Sequence, residues 1–122
     1  MRSILLVEDN ADLRELVGFV LRHEGYDVLE AENGREALDQ LETMQPLPDL
    51  ILLDLMMPVM TGSELLEILQ EREQLASLPV VVLSAGGQPW QVPHAKMFLR
   101  KPMDPALLLR VVRQVCDAPA SC

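Results

Sequence analysis

Apolar residues recur along this chain with two periods, and the two alternate. Unbroken apolar runs stand at Ile4–Val7, Leu50–Leu53, Val80–Leu83 and Met97–Leu99. Runs of this length without polar alternation predict strands buried on both faces, as in a parallel sheet. Val28-Leu29-Glu30-Ala31 is more polar and suits an edge strand. Between these runs the spacing turns helical. Leu13, Leu16, Val17, Val20 and Leu21 follow i, i+3, i+4, i+7, i+8, with charges on the opposite face. Leu38, Leu41 and Met44 make a shorter stripe, opened by Asn33 with Glu36 three residues on, the spacing of a capping box. Thr61 and Glu64 repeat that spacing ahead of Leu65, Leu66 and Leu69. A last helix is predicted from Asp104 as N-cap and Pro105 at the first helical position, with Leu108, Val111, Val112 and Val115 as its buried stripe.

The predicted order is β-α-β-α-β-α-β-loop-β-α. Such alternation gives an open parallel sheet with helices on both faces, because parallel neighbours need crossovers. Proline marks the boundaries: residues 1–45 hold none, and nine follow from Pro46 onward. Between Ser84 and Met97, Gly86, Gly87, Pro89 and Pro93 leave no stretch for a regular helix. That crossover is expected to be a loop with at most a turn or two of helix, and Trp90 within it is read as a hydrophobic pin.

Composition narrows the class. At 122 residues the chain is one domain, and 49% hydrophobic content excludes intrinsic disorder. The domain is expected to span 1–117, with a short tail at 118–122. The net charge of −9 argues against direct nucleic-acid binding. No apolar stretch reaches the roughly 18 residues of a membrane span, and Ile4–Val7 is too short for a signal peptide. Cys116 and Cys122 make no disulfide framework, so a reducing cytoplasm is the expected location. The charge is also uneven: residues 1–78 carry 17 acidic and five basic residues, while 79–122 carry two and five.

The candidate chemistry follows the strands. In doubly wound sheets, ligands bind at the carboxyl ends of the strands. There stand Glu8 and Asp9, then Asp54, then Ser84, then Lys101. Three carboxylates together repel each other unless a cation sits among them. Hard oxygen donors without His or Cys select Mg²⁺ over zinc, and Mg²⁺ prefers few carboxylates plus phosphate oxygens. Asp54 can then serve as an acyl-phosphate nucleophile, with Lys101 and Ser84 contacting the phosphoryl oxygens. The bland readings are a solvated Glu8-Asp9 pair capping the first helix and a turn aspartate ahead of Pro58.

Leu-Leu-Val-Glu8-Asp9, Leu-Leu-Asp54-Leu-Met-Met57-Pro58-Val-Met-Thr-Gly62, Ser84-Ala85 and Phe98-Leu-Arg-Lys101-Pro102, in this order, resemble the receiver domains of two-component response regulators, in the bacterial chemotaxis-regulator-like superfamily. The resemblance covers nearly the whole chain. It implies a flavodoxin-like three-layer sandwich with strand order 2-1-3-4-5, the family's fourth helix being shortened or irregular here. It implies that Asp54 is phosphorylated, that Asp9 ligates Mg²⁺ directly and Glu8 through water, and that Met56 offers its backbone carbonyl. Lys101 would contact the phosphoryl group, with a constrained cis peptide at Pro102. Ser84 and Phe98 would form the switch pair, and Met56 and Gly86 would tune self-catalysed dephosphorylation.

The implied partners are a histidine kinase or a histidine phosphotransfer protein, plus a downstream protein. Because the segment from Ser84 to Lys101 is short, dimerisation through that face is not expected, and the chain is read as a monomer or weak dimer. No output domain is expected within these residues, whether the chain is a single-domain regulator or a piece of a longer one. Lys96, Arg100, Arg110 and Arg113 are expected to form a basic surface for an acidic partner. The alternative reading is an interaction scaffold that keeps the fold without depending on phosphorylation. A phosphatase using an aspartyl phosphate fits worse, since Met56 stands where its second acid is expected.

Overall fold

The computed structural model describes residues 2–55, 57, 59–85, 95–101 and 104–116. Its elements run β1 (Ser3–Val7), α1 (Ala11–His23), β2 (Asp27–Ala31), α2 (Gly34–Thr43), β3 (Leu50–Leu53), α3 (Gly62–Glu71), β4 (Val80–Ser84), β5 (Met97–Arg100) and α4 (Pro105–Cys116). All five strands are parallel, in the order β2-β1-β3-β4-β5. This is the doubly wound α/β sandwich that the alternating periods predict.

Period-two geometry divides each strand between two cores. Leu5, Val7, Ile51, Leu53, Val80 and Val82 meet the buried stripes of α2 and α3 on one face. Ile4, Leu6, Leu50, Leu52, Val81 and Leu83 meet α1 and α4 on the other. β1, β3 and β4 are therefore apolar at nearly every position, with a partner layer on each side. β2 is an edge, and its exposed Asp27 and Leu29 show why that segment is more polar in sequence.

Local chemistry sets the element ends. Asn10 caps α1 by accepting from the Leu13 amide at 3.1 Å. At the other end of α1, Gly25 takes φ +94. The Gly25 amide donates to Arg22 O and the Tyr26 amide to Leu21 O, the Schellman arrangement that closes a helix on a left-handed glycine. Asn33 accepts from Glu36 N at 2.8 Å, and Thr61 with Glu64 forms a full reciprocal capping box. Asp104 Oδ1 accepts from the Ala106 amide at 3.0 Å, ahead of Pro105.

Three expectations need correction. β5 is the other edge of the sheet, with Met97 and Arg100 exposed and Phe98 half-buried, so it is not a strand buried on both faces. β4 and β5 each run one residue further than their apolar runs, taking Ser84 and Arg100 into the sheet. On α1 the buried stripe is Val17, Gly18 and Leu21, while Leu16 is 55% exposed. The irregular crossover with Trp90 and His94, the peptide at Pro102 and the boundary at residue 117 lie outside the described residues. The cis peptide found among the described residues is Gln45–Pro46. No helix among the described residues is long and apolar enough to cross a membrane.

Candidate functional site

β1 and β3 are neighbours, and Val7 pairs with Leu53 at their carboxyl ends. The strand order reverses around β1, so a crevice opens there. The register carries the next residues with it. The Asp54 amide donates to Val7 O at 2.9 Å, and the Glu8 amide donates to Ala31 O at 3.0 Å. Glu8 and Asp54 are buried, at 3% and 5% exposure, while Asp9 faces solvent.

Carboxylate oxygens of Glu8, Asp9 and Asp54 all lie within 4.8 Å of one another, a spacing that can hold a metal ion. The three acids read from sequence thus converge. The bland reading of Glu8 and Asp9 as the helix cap fails, because Asn10 is the N-cap of α1. Glu8 Oε2 instead accepts from the Asn10 amide at 3.1 Å.

Lys101 follows β5 and reaches the same rim. Its amide donates to Ser84 O at 3.0 Å, which fixes where the side chain departs. Nζ lies 2.6 Å from Glu8 Oε1 and 3.6 Å from Asp54 Oδ2. A lysine between two buried carboxylates balances charge that burial would otherwise penalise. Its primary partner in this state is Glu8.

Ser84, fully buried, pairs with Arg100, and Val82 pairs with Phe98. Side chains two residues apart share a face, so Ser84 and Phe98 stand diagonally across the β4–β5 pair on the α2–α3 side. The Arg100 guanidinium lies 5.5 Å from the centre of the Phe98 ring, a cation–π contact at the sheet edge. Gly62 opens α3 directly beneath Asp54: its amide donates to Leu55 O at 3.0 Å. Met57 is buried and Met60 half-buried against the α2–α3 core, so both act as packing. Met56, Pro58, Gly86 and Pro102 lie outside the described residues.

The profile of the response regulator receiver domain matches residues 4–113. This chain belongs to that family. The phosphate regulon transcriptional regulatory protein PhoB of Klebsiella pneumoniae is 44% identical over 87 residues, 71% of this chain but 37% of PhoB. The chain therefore spans little more than a third of that relative's length. Among solved structures, the signal receiver domain of a histidine kinase from Syntrophus aciditrophicus superposes with a TM-score of 0.86 at 31% identity, covering 96% of this chain and 91% of that one. The Vibrio cholerae chemotaxis protein CheY4 gives 0.85 at 32%, covering 94% and 98%. The receiver is a switch domain of two-component signalling, and its acidic cluster lies at the carboxyl ends of the strands.

Sequence reading missed Arg14, whose Nη1 donates to the Glu8 carbonyl at 2.8 Å. The signal was present: position 14 falls three and four residues before Val17 and Gly18, on the buried side of α1, where a charge is unexpected.

Proposed function

We propose that this receiver accepts a phosphoryl group on Asp54 from a histidine kinase or histidine phosphotransfer protein, and that the modified rim signals to a protein partner. The observation that carries the reading is the meeting of Glu8, Asp9, Asp54 and Lys101 at one place on the rim.

The donor set fits Mg²⁺: it is all carboxylate oxygen, and the exposed Asp9 side leaves room for the waters this ion retains. Mg²⁺ held by Asp9, Asp54, the Met56 carbonyl and, through water, Glu8 would neutralise charge on the phosphoryl oxygens. An Asp54 oxygen attacks phosphorus as the P–N bond breaks; the donor imidazole, already protonated from solvent on its other ring nitrogen, keeps the bonding pair and leaves neutral. Lys101 stands 3.6 Å from the nucleophilic carboxylate, close enough to pair with the new phosphoryl dianion in place of Glu8. Ser84, on the adjoining strand end, is the hydroxyl that would follow the added charge, with Phe98 turning inward behind it. Self-catalysed dephosphorylation belongs to the same reading.

The phosphodonor has to cover the rim. A groove of about 440 Å³ runs from Lys101 between α1 and α4, lined by Leu13, Leu16, Val17, Val20 and Pro105. This apolar surface beside the nucleophile suits a helical protein donor. Fluoroberyllate, which mimics an acyl phosphate, tests the proposal. With Mg²⁺ present it is expected to raise the melting temperature of wild type and leave Asp54→Asn unmoved. An equal shift in both, or none in wild type, would favour the phosphorylation-independent scaffold.

A further inference from the structure

Arg14 lies one turn into α1, and its side chain is 18% exposed. Nη1 donates to the Glu8 carbonyl oxygen at 2.8 Å, and Nε stands 3.4 Å from Glu30 Oε1 on β2. The second Glu30 oxygen is held by Arg22 Nη2 at 2.9 Å, and the same Nη2 donates to Val28 O. The Arg14 guanidinium is thus held from both sides.

The Glu8 carbonyl is half of the peptide plane that joins Glu8 to Asp9, and that plane is rigid. A bond to its oxygen fixes the direction in which the chain delivers Asp9. This matters because, among the described residues, Glu8 and Asp54 have other anchors and Asp9 has none. Glu8 is held by Lys101 and by the Asn10 amide, and Asp54 lies against Lys101. Among the described residues the Asp9 carboxylate has no hydrogen-bond or ion-pair partner, so its place in the cluster depends on the backbone.

We propose that Arg14 is a positioning residue for the cation site: it locks the Glu8–Asp9 peptide so that Asp9 meets Asp54, and Glu30 aims the guanidinium. The inference rests on the reading of Glu8, Asp9 and Asp54 as a Mg²⁺ site. Charge and position make opposite demands here. A positive charge near a cation site weakens cation binding, so removing it would tighten binding if charge alone mattered. Loss of a group that orients a metal ligand weakens binding instead, typically by tenfold or more.

The test is calorimetric titration of the whole chain with MgCl₂, for wild type, Arg14→Met, Arg14→Lys and Glu30→Gln. Arg14→Met is expected to weaken Mg²⁺ binding about tenfold. Arg14→Lys should recover part of the loss, because one ammonium can reach the Glu8 carbonyl but cannot span to Glu30 as well. Glu30→Gln should shift affinity the same way by less. Unchanged or tighter binding by Arg14→Met overturns the inference. Should that variant fail to fold, wild-type affinity in both Arg14→Lys and Glu30→Gln overturns it equally. Absence of Mg²⁺ binding by wild type overturns the site reading itself, a result distinct from either.

Discussion

A methyl group on Gly62 would stand 2.6 Å from the Asp54 carbonyl oxygen and 2.8 Å from the Leu55 Cα. Both neighbours are backbone and cannot rotate away. Gly62→Ala must therefore push α3 off the loop that carries Asp54, with an expected cost of about 2 kcal/mol in denaturant unfolding and slower phosphorylation by acetyl phosphate. Thr61→Ala, one residue earlier, loses only the cap, about 1 kcal/mol, and should leave phosphorylation unchanged. Val59 presents the opposite case, a β-branched residue 79% exposed at φ +71. Relief of that strain in Val59→Gly should outweigh the flexibility glycine adds to the unfolded chain, raising stability by about 1 kcal/mol. A lower melting temperature would contradict this. Residue identity made the acids, Ser84 and Lys101 legible in sequence, because each stands straight after an apolar run or close to its end. It did not show that Lys101 rests on Glu8, since contacts between strand ends depend on register. Nor did the motif around Gly62 say why glycine is needed, which is a contact rather than a turn.

At the scale of elements, α1 separates what periodicity can show from what it cannot. Its apolar positions span more of the helix surface than the sheet covers, so Val17 and Leu21 are buried while Leu16 and Phe19, 66% exposed, face out. Periodicity finds an apolar arc; only the placement of α4 decides which edge of it stays uncovered. The same limit explains β5. Its apolar run matches a central strand, but its position as the last strand leaves Met97 exposed and sets Phe98 against Arg100. β1, β3 and β4 were legible because layers on both faces impose an unbroken apolar run. The exposed arc of α1 makes a prediction at its own scale. Leu16→Asp should slow phosphotransfer from a phosphorylated histidine phosphotransfer protein at least several-fold, and leave the rate with acetyl phosphate unchanged. Equal slowing with both donors would place the effect in the site rather than on the donor surface.

Across the whole molecule, the uneven charge resolves into structure. Arg113 of the basic final third pairs with Glu24 at 2.8 Å, so it ties α4 to the end of α1 instead of joining a free basic face. Arg100, though exposed, lies over the Phe98 ring, and Lys101 belongs to the rim, which leaves Lys96 and Arg110 as the exposed members of the expected basic surface with no ion-pair partner among the described residues. The acidic excess has a local consequence. Three of the 19 acids converge at the rim with one lysine between them, so a bound divalent cation should stabilise the fold. Mg²⁺ at ten times its dissociation constant should add about 1.4 kcal/mol, a rise of roughly 5 °C in Tm that chelation reverses. Asp9→Asn should lose most of that rise. Asp54 as an acceptor of phosphoryl groups is the premise of the proposed switch, and intact-mass measurement after incubation with acetyl phosphate and Mg²⁺ reads this directly. The predicted result is a single phosphoryl adduct on wild type that is absent from Asp54→Asn and from wild type in EDTA. An equal adduct on Asp54→Asn, or no adduct on wild type from either acetyl phosphate or a phosphorylated histidine donor, would contradict it.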